Sequence, residues 1–254
     1  MKIEVKTGQN VYLTSDTHYN HKNIVSSITK WEDTRPGQTR DFKSLSHMNQ
    51  TIVNNINSMV GEDDILIHFG DFSFGGIESI WEFRRQILCK NIYLIFGNHD
   101  EHIIANKVLP NCHYNDYIDD SENPPINDGK NPCIYKDGRD EYFQVYAQDL
   151  FKWCGHYEEF EIVYPQEKKN VKIPRYKFVA MHYPISSWNK LGKGRVHFHG
   201  HIHSLPQHKV NKRAMDVGLD GNNFFPYELR KAFSYVQDNQ IGPVLIQNDH
   251  HVKE

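Results

Sequence analysis

Histidine, aspartate and asparagine side chains that could bind metal ions recur along the sequence. The densest run is HFHGHIHS at 197–204, in which four histidines occupy every second position. Successive side chains of an extended strand point to opposite faces of a sheet, so one strand cannot surround an ion with its own histidines. A metal site that includes this run would therefore need ligands from other parts of the chain.

Short apolar runs elsewhere in the chain end in side chains of the same kinds. They end at SDTH (15–18), FGDF (69–72), GNHD (97–100) and MHYP (181–184). With the histidine run they supply these candidates: Asp16, His18, Asp71, Asn98, His99, Asp100, His182, His201 and His203. Imidazole and carboxylate ligands suit Mn, Fe, Zn or Co, and two sites can share one bridging carboxylate. The chemistry therefore fits two metal ions that clamp a phosphoryl group during its displacement.

The elements that would position these side chains can be read from the apolar pattern. Residues 10–16, 63–71 and 91–100 are short, apolar and rich in β-forming residues, which predicts three strands. Apolar residues recur at helical spacing within 43–60 and 76–90, which predicts two helices between those strands. This alternation favours an α/β sheet. Because such sheets bind ligands at the carboxyl ends of their strands, the polar strand ends mark the expected site.

The second half of the chain predicts more strands and fewer helices. The segments at 156–164, 176–184, 193–201 and 214–220 each have the pattern of a strand, and a single sheet would bring all the polar strand ends to one edge. Clusters of Asn, Asp, Gly and Pro at 119–140 instead predict an irregular excursion with hairpins.

The ordered blocks DxH, GD, GNHD, HxxP and GHxH, found between residues 16 and 203, resemble the calcineurin-like metallophosphoesterase superfamily. The longer strings SDTHYNHKNI, MHYPISSW and VGLD resemble its small stand-alone bacterial and phage members. The resemblance implies an α/β (α+β) fold, a four-layer α-β-β-α sandwich of two mixed sheets flanked by helices. It also implies a single domain over 1–254, in which about 119–150 form an irregular insertion.

The resemblance assigns the candidate ligands to two divalent metal ions, Mn²⁺ foremost, with Fe, Zn, Ni and Co as alternatives. The implied assignment is Asp16, His18 and His203 on the first ion, Asn98, His182 and His201 on the second, and Asp71 bridging both. His99 would not be a ligand, because it would protonate the leaving oxygen or stabilise the phosphoryl charge. Asp100 would hydrogen-bond the other ring nitrogen of His99 and fix its tautomer.

The reaction implied by the resemblance is hydrolysis of a phosphate ester by a hydroxide held at the metal ions. A phosphodiester is the leading substrate, and the expected partner is a small phosphoester or a nucleotide. A phosphomonoesterase acting on nucleotides or proteins is the main alternative. A nuclease would need a basic, aromatic-lined path, and the sequence offers only short basic runs at 190–195 and 209–213. A non-catalytic scaffold is disfavoured because His99 and every ligand position are filled.

Several residues near the motifs have a weaker basis for a role. His21, Lys193 and Arg195 are candidates for contacts with an anionic substrate, and the excursion together with 21–42 is expected to shape the substrate pocket.

Other residues near the motifs are expected to be structural. His68, within a strand, is expected to be a hydrogen-bonded core histidine, and His197 and His199 are expected to be packed or to support the ligands. Asp216 and Asp220 fit ordinary turn residues better than a supporting role, and Gly200 is expected to let the chain turn.

The overall composition excludes several protein classes. The 254 residues carry a formal charge of −3, so the bulk charge does not indicate nucleic-acid binding. The first ten residues lack the apolar core of a signal peptide, and no apolar stretch approaches the roughly 20 residues of a membrane helix. The four cysteines form no CxxC pair, which predicts free thiols in a reducing compartment. We expect a cytoplasmic protein, or a phage-encoded one acting in its host's cytoplasm, with a monomer and a homodimer both open.

Overall fold

Short strands and helices alternate along the part of the chain that the computed structural model describes. The described residues are 1–34, 39–109, 125–126, 134–136, 142–166, 173–203 and 212–238. The strands are β1 (Lys2–Glu4), β2 (Val11–Thr14), β3 (Ile65–His68), β4 (Asn91–Ile95), β5 (Pro125–Ile126), β6 (Ile134–Lys136), β7 (Tyr142–Gln144), β8 (Trp153–Gly155), β9 (Tyr157–Val163), β10 (Arg175–Met181), β11 (Val196–His199), β12 (Ala214–Asp216) and β13 (Tyr227–Glu228). The α-helices are α1 (Trp31–Thr34), α2 (Leu45–Met59), α3 (Ile77–Gln86), α4 (Glu101–Ile104) and α5 (Leu229–Asp238).

The strands form two five-stranded mixed sheets. The first sheet has the order β13-β2-β3-β4-β8, with parallel pairing except where β13 meets β2. The second has the order β1-β9-β10-β11-β12, with antiparallel pairing only between β9 and β10. The prediction of two mixed sheets with flanking helices is confirmed, whereas the expectation of one continuous sheet is wrong. The second set of strands pairs with itself and with β1 and does not extend the first sheet.

A shared apolar layer fills the space between the two sheets. Leu13 and Ile67 of the first sheet and Phe178 and Phe198 of the second are fully buried in this layer. Burying one such side chain contributes roughly 1.5–3 kcal/mol, so the layer strongly favours the stacked arrangement. One consequence is that strand ends from both sheets meet at the same side of the molecule.

The helices α2 and α3 cover the outer face of the first sheet. Met48, Ile52 and Ile56 recur at helical spacing along α2 and are buried against Leu66 and Leu94. The α2 helix begins where the Ser44 hydroxyl accepts a hydrogen bond from the His47 amide at 3.1 Å. Both helices were predicted from this spacing.

The sequence pattern did not reveal the short strands β1, β8 and β13 or the helix α5. The strands have only two or three residues each, too few to establish a period. The α5 helix does present an apolar stripe of Leu229, Ala232, Phe233 and Val236, which packs into the layer between the sheets.

The excursion predicted at 119–140 contains the hairpins that its turn residues indicated. The strands β5, β6 and β7 pair antiparallel in a separate three-stranded sheet. The remaining residues of the excursion, 119–124, 127–133 and 137–140, lie outside the described residues.

Two features bear on the compositional predictions. Among the described helices, none combines the length and the apolar character needed to cross a bilayer. Cys89 and Cys154 carry free thiols as predicted, while Cys112 and Cys133 lie outside the described residues.

Candidate metal centre

The polar strand ends of the two sheets converge in one place. From the first sheet, loops after β2, β3 and β4 carry Asp16, Asp71 and Asn98, and from the second, loops after β10 and β11 carry His182 and His201. The His201 amide donates to the Asp16 carboxylate at 3.0 Å, and the His182 ring donates to the Phe69 carbonyl at 2.7 Å. Both hydrogen bonds join one sheet to the other, so the site lies at their shared edge.

The backbone of these loops is held in an unfavourable conformation. Asp16, His18, Asp71, His201 and His203 all have positive φ angles, between 46° and 71°. The left-handed region costs a non-glycine residue roughly 1–2 kcal/mol, and such residues tend to cluster at functional sites. Five such residues in one place indicate that the surrounding structure holds these loops in a strained conformation that brings their side chains together.

One set of donors, the first donor group, consists of Asp16, His18 and His203. The Nε2 atoms of His18 and His203 lie 3.1 Å apart. The Oδ1 atom of Asp16 lies 3.7 Å from Nε2 of His203 and 4.0 Å from Nε2 of His18. One ligand atom from each residue falls within 4.8 Å of the others, a separation that one metal ion can span.

A second set of donors, the second donor group, consists of Asp16, Asp71 and His182 and meets the same criterion. The Oδ2 atom of Asp71 lies 3.6 Å from Nε2 of His18 and 3.6 Å from Nε2 of His182. The Asp71 carboxylate thus lies between His18 of the first group and His182 of the second, as a bridging ligand would. Asn98 adds an oxygen beside the second group, with Oδ1 3.0 Å from His182 Nε2 and 2.9 Å from His201 Nδ1.

Hydrogen bonds fix which ring nitrogens face the centre. Because Nδ1 of His182 donates to a backbone carbonyl, its Nε2 presents a lone pair towards Asp71. Nδ1 of His203 donates to Oδ2 of Asp220 at 2.9 Å, so its Nε2 faces Asp16 and His18. Metal-binding histidines characteristically have such partners on the other nitrogen. The preference for Asp220 as an ordinary turn residue was therefore wrong.

The electrostatics of the centre suit a bound cation. Burial raises the pKa of the Asp16 carboxyl to about 8 and lowers the pKa of His18 well below its ordinary value. Burial likewise lowers the pKa of His182 and of His201. The neutral imidazoles of His18, His182 and His201 beside buried carboxylates are the kind of donor set that a divalent cation requires. The residues present therefore fit the metal ions that the sequence predicted.

Asp100 has different partners from those predicted. Its Oδ2 accepts hydrogen bonds from the amides of Gly97 at 2.8 Å and Asp71 at 2.9 Å, and its Oδ1 accepts from the Phe72 amide at 2.9 Å. The carboxylate is buried, and among the contacts of the described residues none joins it to the His99 ring. The predicted bond to His99 is therefore wrong, and Asp100 instead fixes the loop that carries Asp71.

His99 is exposed at the edge of the centre. Its amide donates to Oδ1 of Asp71 at 2.9 Å, which joins its backbone to the Asp71 side chain. Its ring centroid lies 4.5 Å from that of Phe74 and 5.7 Å from that of His18. The His21 ring stacks on the Phe74 ring, with the two centroids 3.7 Å apart, so His21 also borders the centre.

Lys193 and Arg195 lie away from the centre. Both precede β11, whereas His201 and His203 follow it, so they are at opposite ends of the strand. The Arg195 guanidinium forms an ion pair with Glu159. The next residue, Phe160, faces the layer between the sheets, so strand alternation places Glu159, and with it the Arg195 guanidinium, on the outer face of the second sheet. The prediction that Lys193 and Arg195 bind substrate is therefore not supported by their position.

The other histidines behave as packed residues. Nδ1 of His68 accepts from the Gly70 amide at 3.1 Å, so its Nε2 donates to Thr17 Oγ1 at 3.0 Å. His197 and His199 are fully buried, and their Nδ1 atoms donate to backbone carbonyls at 3.2 Å and 2.9 Å. Among the described residues, neither belongs to a group that could hold an ion. The predicted structural roles of these three histidines are confirmed.

Gly200 is required for a reason other than the predicted turn. The turn is made by the positive φ of His201 and His203, while a Cβ atom on Gly200 would collide with the Ser15 side chain and the Asp16 carboxylate. We expect Gly200→Ala to lower the free energy of unfolding by about 1–3 kcal/mol, the usual cost of overpacking. Urea unfolding of the metal-free protein measures this loss.

Gly61→Ala is the matched control for that substitution, because a Cβ there would meet only the carboxylate end of Asp64, at 3.2 Å. Equal stability of the Gly200→Ala and Gly61→Ala variants would contradict the collision.

Known proteins resemble this chain at several levels. A family model described as calcineurin-like phosphoesterase matches residues 10–205. An uncharacterized protein from Methanocaldococcus jannaschii is 33% identical over 93 residues, which are 36% of this chain and 47% of that protein, so the match spans about half of the relative. A crystal structure of a protein of unknown function from Aquifex aeolicus covers 89% of this chain and 99% of its own, with a TM-score of 0.52 and 17% identity. At that identity the likeness is one of fold alone.

Proposed function

Because the chain belongs to the calcineurin-like phosphoesterase family, we propose that it is a hydrolase that uses two divalent metal ions, Mn²⁺ foremost, to cleave phosphodiesters. The observation that carries the proposal is the position of Asp71, whose Oδ2 lies 3.6 Å from a histidine of each donor group. The two groups have Asp16 in common, and with the Asp71 carboxylate between their histidines they could hold two ions close together. When bound, such a pair would supply positive charge to the phosphoryl oxygens and lower the pKa of a water molecule.

The side chains of the centre would divide the work between them. The first donor group would hold one ion, and His182, Asn98 and His201 would hold the other, with Asp71 touching both. The amide side chain of Asn98 brings no charge, so the second ion would keep more of its positive charge for the substrate. Hydrogen bonds from the amides of Asp16 and His18 to the carbonyls of Gly70 and Asp71 hold this left-handed backbone, so the side chains would be in place before a ligand binds.

His99 would act on the leaving group. Its ring is exposed at the edge of the centre and is not needed by either donor group, so it is free to donate a proton to the departing oxygen. The hydrogen bond from its backbone amide to the Asp71 carboxylate fixes the position of His99 relative to that side chain. The aromatic rings of Phe74 and His21 lie on the same side, so they would border the leaving group.

Metal removal and a substrate panel test the proposal together. We expect the purified protein to contain close to two metal ions per chain, to lose turnover after chelation and to regain it with Mn²⁺. Bis(p-nitrophenyl) phosphate, p-nitrophenyl phosphate, cyclic nucleotides and short oligonucleotides should be compared at equal concentration. The highest kcat/KM is expected for a small diester.

Any other outcome of the substrate panel would indicate a different function. A preference for the monoester would indicate a phosphatase, and a preference for oligonucleotides would indicate a nuclease. Two bound ions without turnover on any substrate would favour a scaffold, and failure to bind metal would overturn the proposal.

A further inference from the structure

Arg40, which lies outside all the sequence motifs, is buried beside the candidate metal centre. Only 3% of the residue is exposed. Its backbone is joined to the segment after β2 by hydrogen bonds with Ile24 and Ser26, at 2.6 Å and 3.0 Å. The side chain therefore enters the centre from a loop that carries none of the predicted ligands.

The guanidinium of Arg40 contacts the loop that carries Asp16 and His18, and it also contacts Asp220. Its terminal nitrogens donate to the carbonyl of Asp16 at 2.6 Å and to the carbonyl of Thr17 at 3.0 Å. These two carbonyls belong to the turn that runs from Asp16 to His18. The same guanidinium donates to both oxygens of Asp220, at 2.8 Å and 2.7 Å.

Asp220 continues this set of contacts to the remaining ligand. Its Oδ2, which accepts from Arg40, also accepts from Nδ1 of His203 at 2.9 Å. Arg40 thus holds the backbone of the turn that carries Asp16 and His18, and it contacts His203 indirectly through Asp220. A planar guanidinium can hold two carbonyls and a carboxylate at fixed angles, which a lysine ammonium cannot do.

A purely structural arginine looks different in this protein. Arg84 is also buried, and its guanidinium donates to the backbone carbonyls of Leu150, Ile87 and Cys89, each at 3.0 Å. None of these residues belongs to a donor group. Arg84 therefore provides a comparison in which a buried guanidinium supports the fold without touching the centre.

We propose that Arg40 is a positioning residue that aligns Asp16, His18 and His203 and thereby sets the affinity of the first metal ion. This inference rests on the proposed two-metal function. It concerns one of the two ions, because the proposed function assigns Asp16, His18 and His203 to the first ion, and the contacts of the Arg40 side chain include neither Asp71 nor His182.

Titration of the metal-free, full-length protein with Mn²⁺, followed by calorimetry, tests the proposal. The wild-type protein should bind two ions. In Arg40→Met the affinity of one ion should fall by about 10–100-fold, the usual effect of removing a group that orients a ligand, while the other ion binds as before. In Arg84→Met both affinities should match the wild type even where the variant is less stable to urea.

Two further variants keep the test decisive if Arg40→Met does not fold. Arg40→Lys retains the charge but not the fork of donors, so it should show a smaller loss at the same ion. Asp220→Asn should weaken the binding of that ion too. Its effect should add only in part to that of Arg40→Lys, since Arg40 acts on His203 through Asp220 but contacts the backbone of Asp16 and Thr17 directly.

Three results would decide against the inference or against its premise. Unchanged affinities in Arg40→Lys and Arg40→Met, or equal losses at both ions, would overturn the role of Arg40 while leaving the two-metal function intact. Fully additive effects of Arg40→Lys and Asp220→Asn would overturn the part of the inference in which Arg40 acts on His203 through Asp220. A wild-type protein that binds no Mn²⁺ would instead overturn the proposed function.

Discussion

Replacing Asp71 with Asn is expected to lower kcat/KM for phosphoester hydrolysis by about three orders of magnitude. The carboxylate faces His18 on one side and His182 on the other, at 3.6 Å each, so both ions would lose a charged ligand. Metal charge at a phosphoryl oxygen is worth several kcal/mol, and each ~1.4 kcal/mol corresponds to a factor of ten in rate. Steady-state kinetics and metal analysis of the same preparation measure both effects.

The Asp71→Asn variant needs a control that also removes a hydrogen-bonded carboxylate. Asp64 is a suitable control, because its carboxylate accepts hydrogen bonds from the amides of Asn10 at 2.7 Å and Gly61 at 2.8 Å. It precedes β3, whereas Asp71 follows that strand, so it lies at the end of the sheet away from the centre. Asp64→Asn should keep the wild-type metal content and turnover. An Asp71→Asn protein that retained two ions and near wild-type turnover would contradict the bridging role.

Replacing His99 with Ala is expected to cost about 10²–10⁴-fold in kcat for a diester with a poor, alkoxide-type leaving group. The loss should be much smaller with a p-nitrophenolate leaving group, which departs without needing a proton. Metal content should not change, because the His99 ring belongs to neither donor group. Comparing the two substrates in the wild type and the variant measures the leaving-group dependence.

His102→Ala is the matched control for His99→Ala, since His102 lies nearby on α4 and its described partner is Glu101. It should leave turnover on both substrates unchanged. Equal losses for the two leaving groups in His99→Ala would argue that His99 binds substrate and does not protonate the leaving oxygen. Undiminished turnover would remove His99 from the mechanism.

Most of the candidate centre could be located from the sequence because its residues follow strands. A strand that ends in Asp, Asn or His places that side chain at a sheet edge whatever the details of the loop. Asp16, Asp71 and Asn98 were found in this way, as were His182 and His201, and the structure brings all five together. Their individual metal assignments stay predictions until the metal content of variants is measured.

The errors came from residues whose roles depend on contacts distant in sequence. The family resemblance paired Asp100 with the neighbouring His99, but the Asp100 carboxylate instead accepts hydrogen bonds from three backbone amides. Lys193 and Arg195 were linked to the centre because they lie between two motifs, but they precede β11, and the predicted ligands His201 and His203 follow it at the other end of the strand. Sequence proximity is a poor guide where a strand of ordinary length separates two residues.

The sequence by itself determined the chemistry of this protein: the kinds of ligand, their places at strand ends and the strands that carry them. Only the tertiary structure decided how these parts meet. It stacked two sheets where the strand pattern alone suggested one, because the apolar faces of both could be buried against each other. It also joined Arg40 and Asp220, which are 180 residues apart, into one hydrogen-bonded unit behind His203. No local pattern encodes such a contact, because it depends on the packing of both sheets at once.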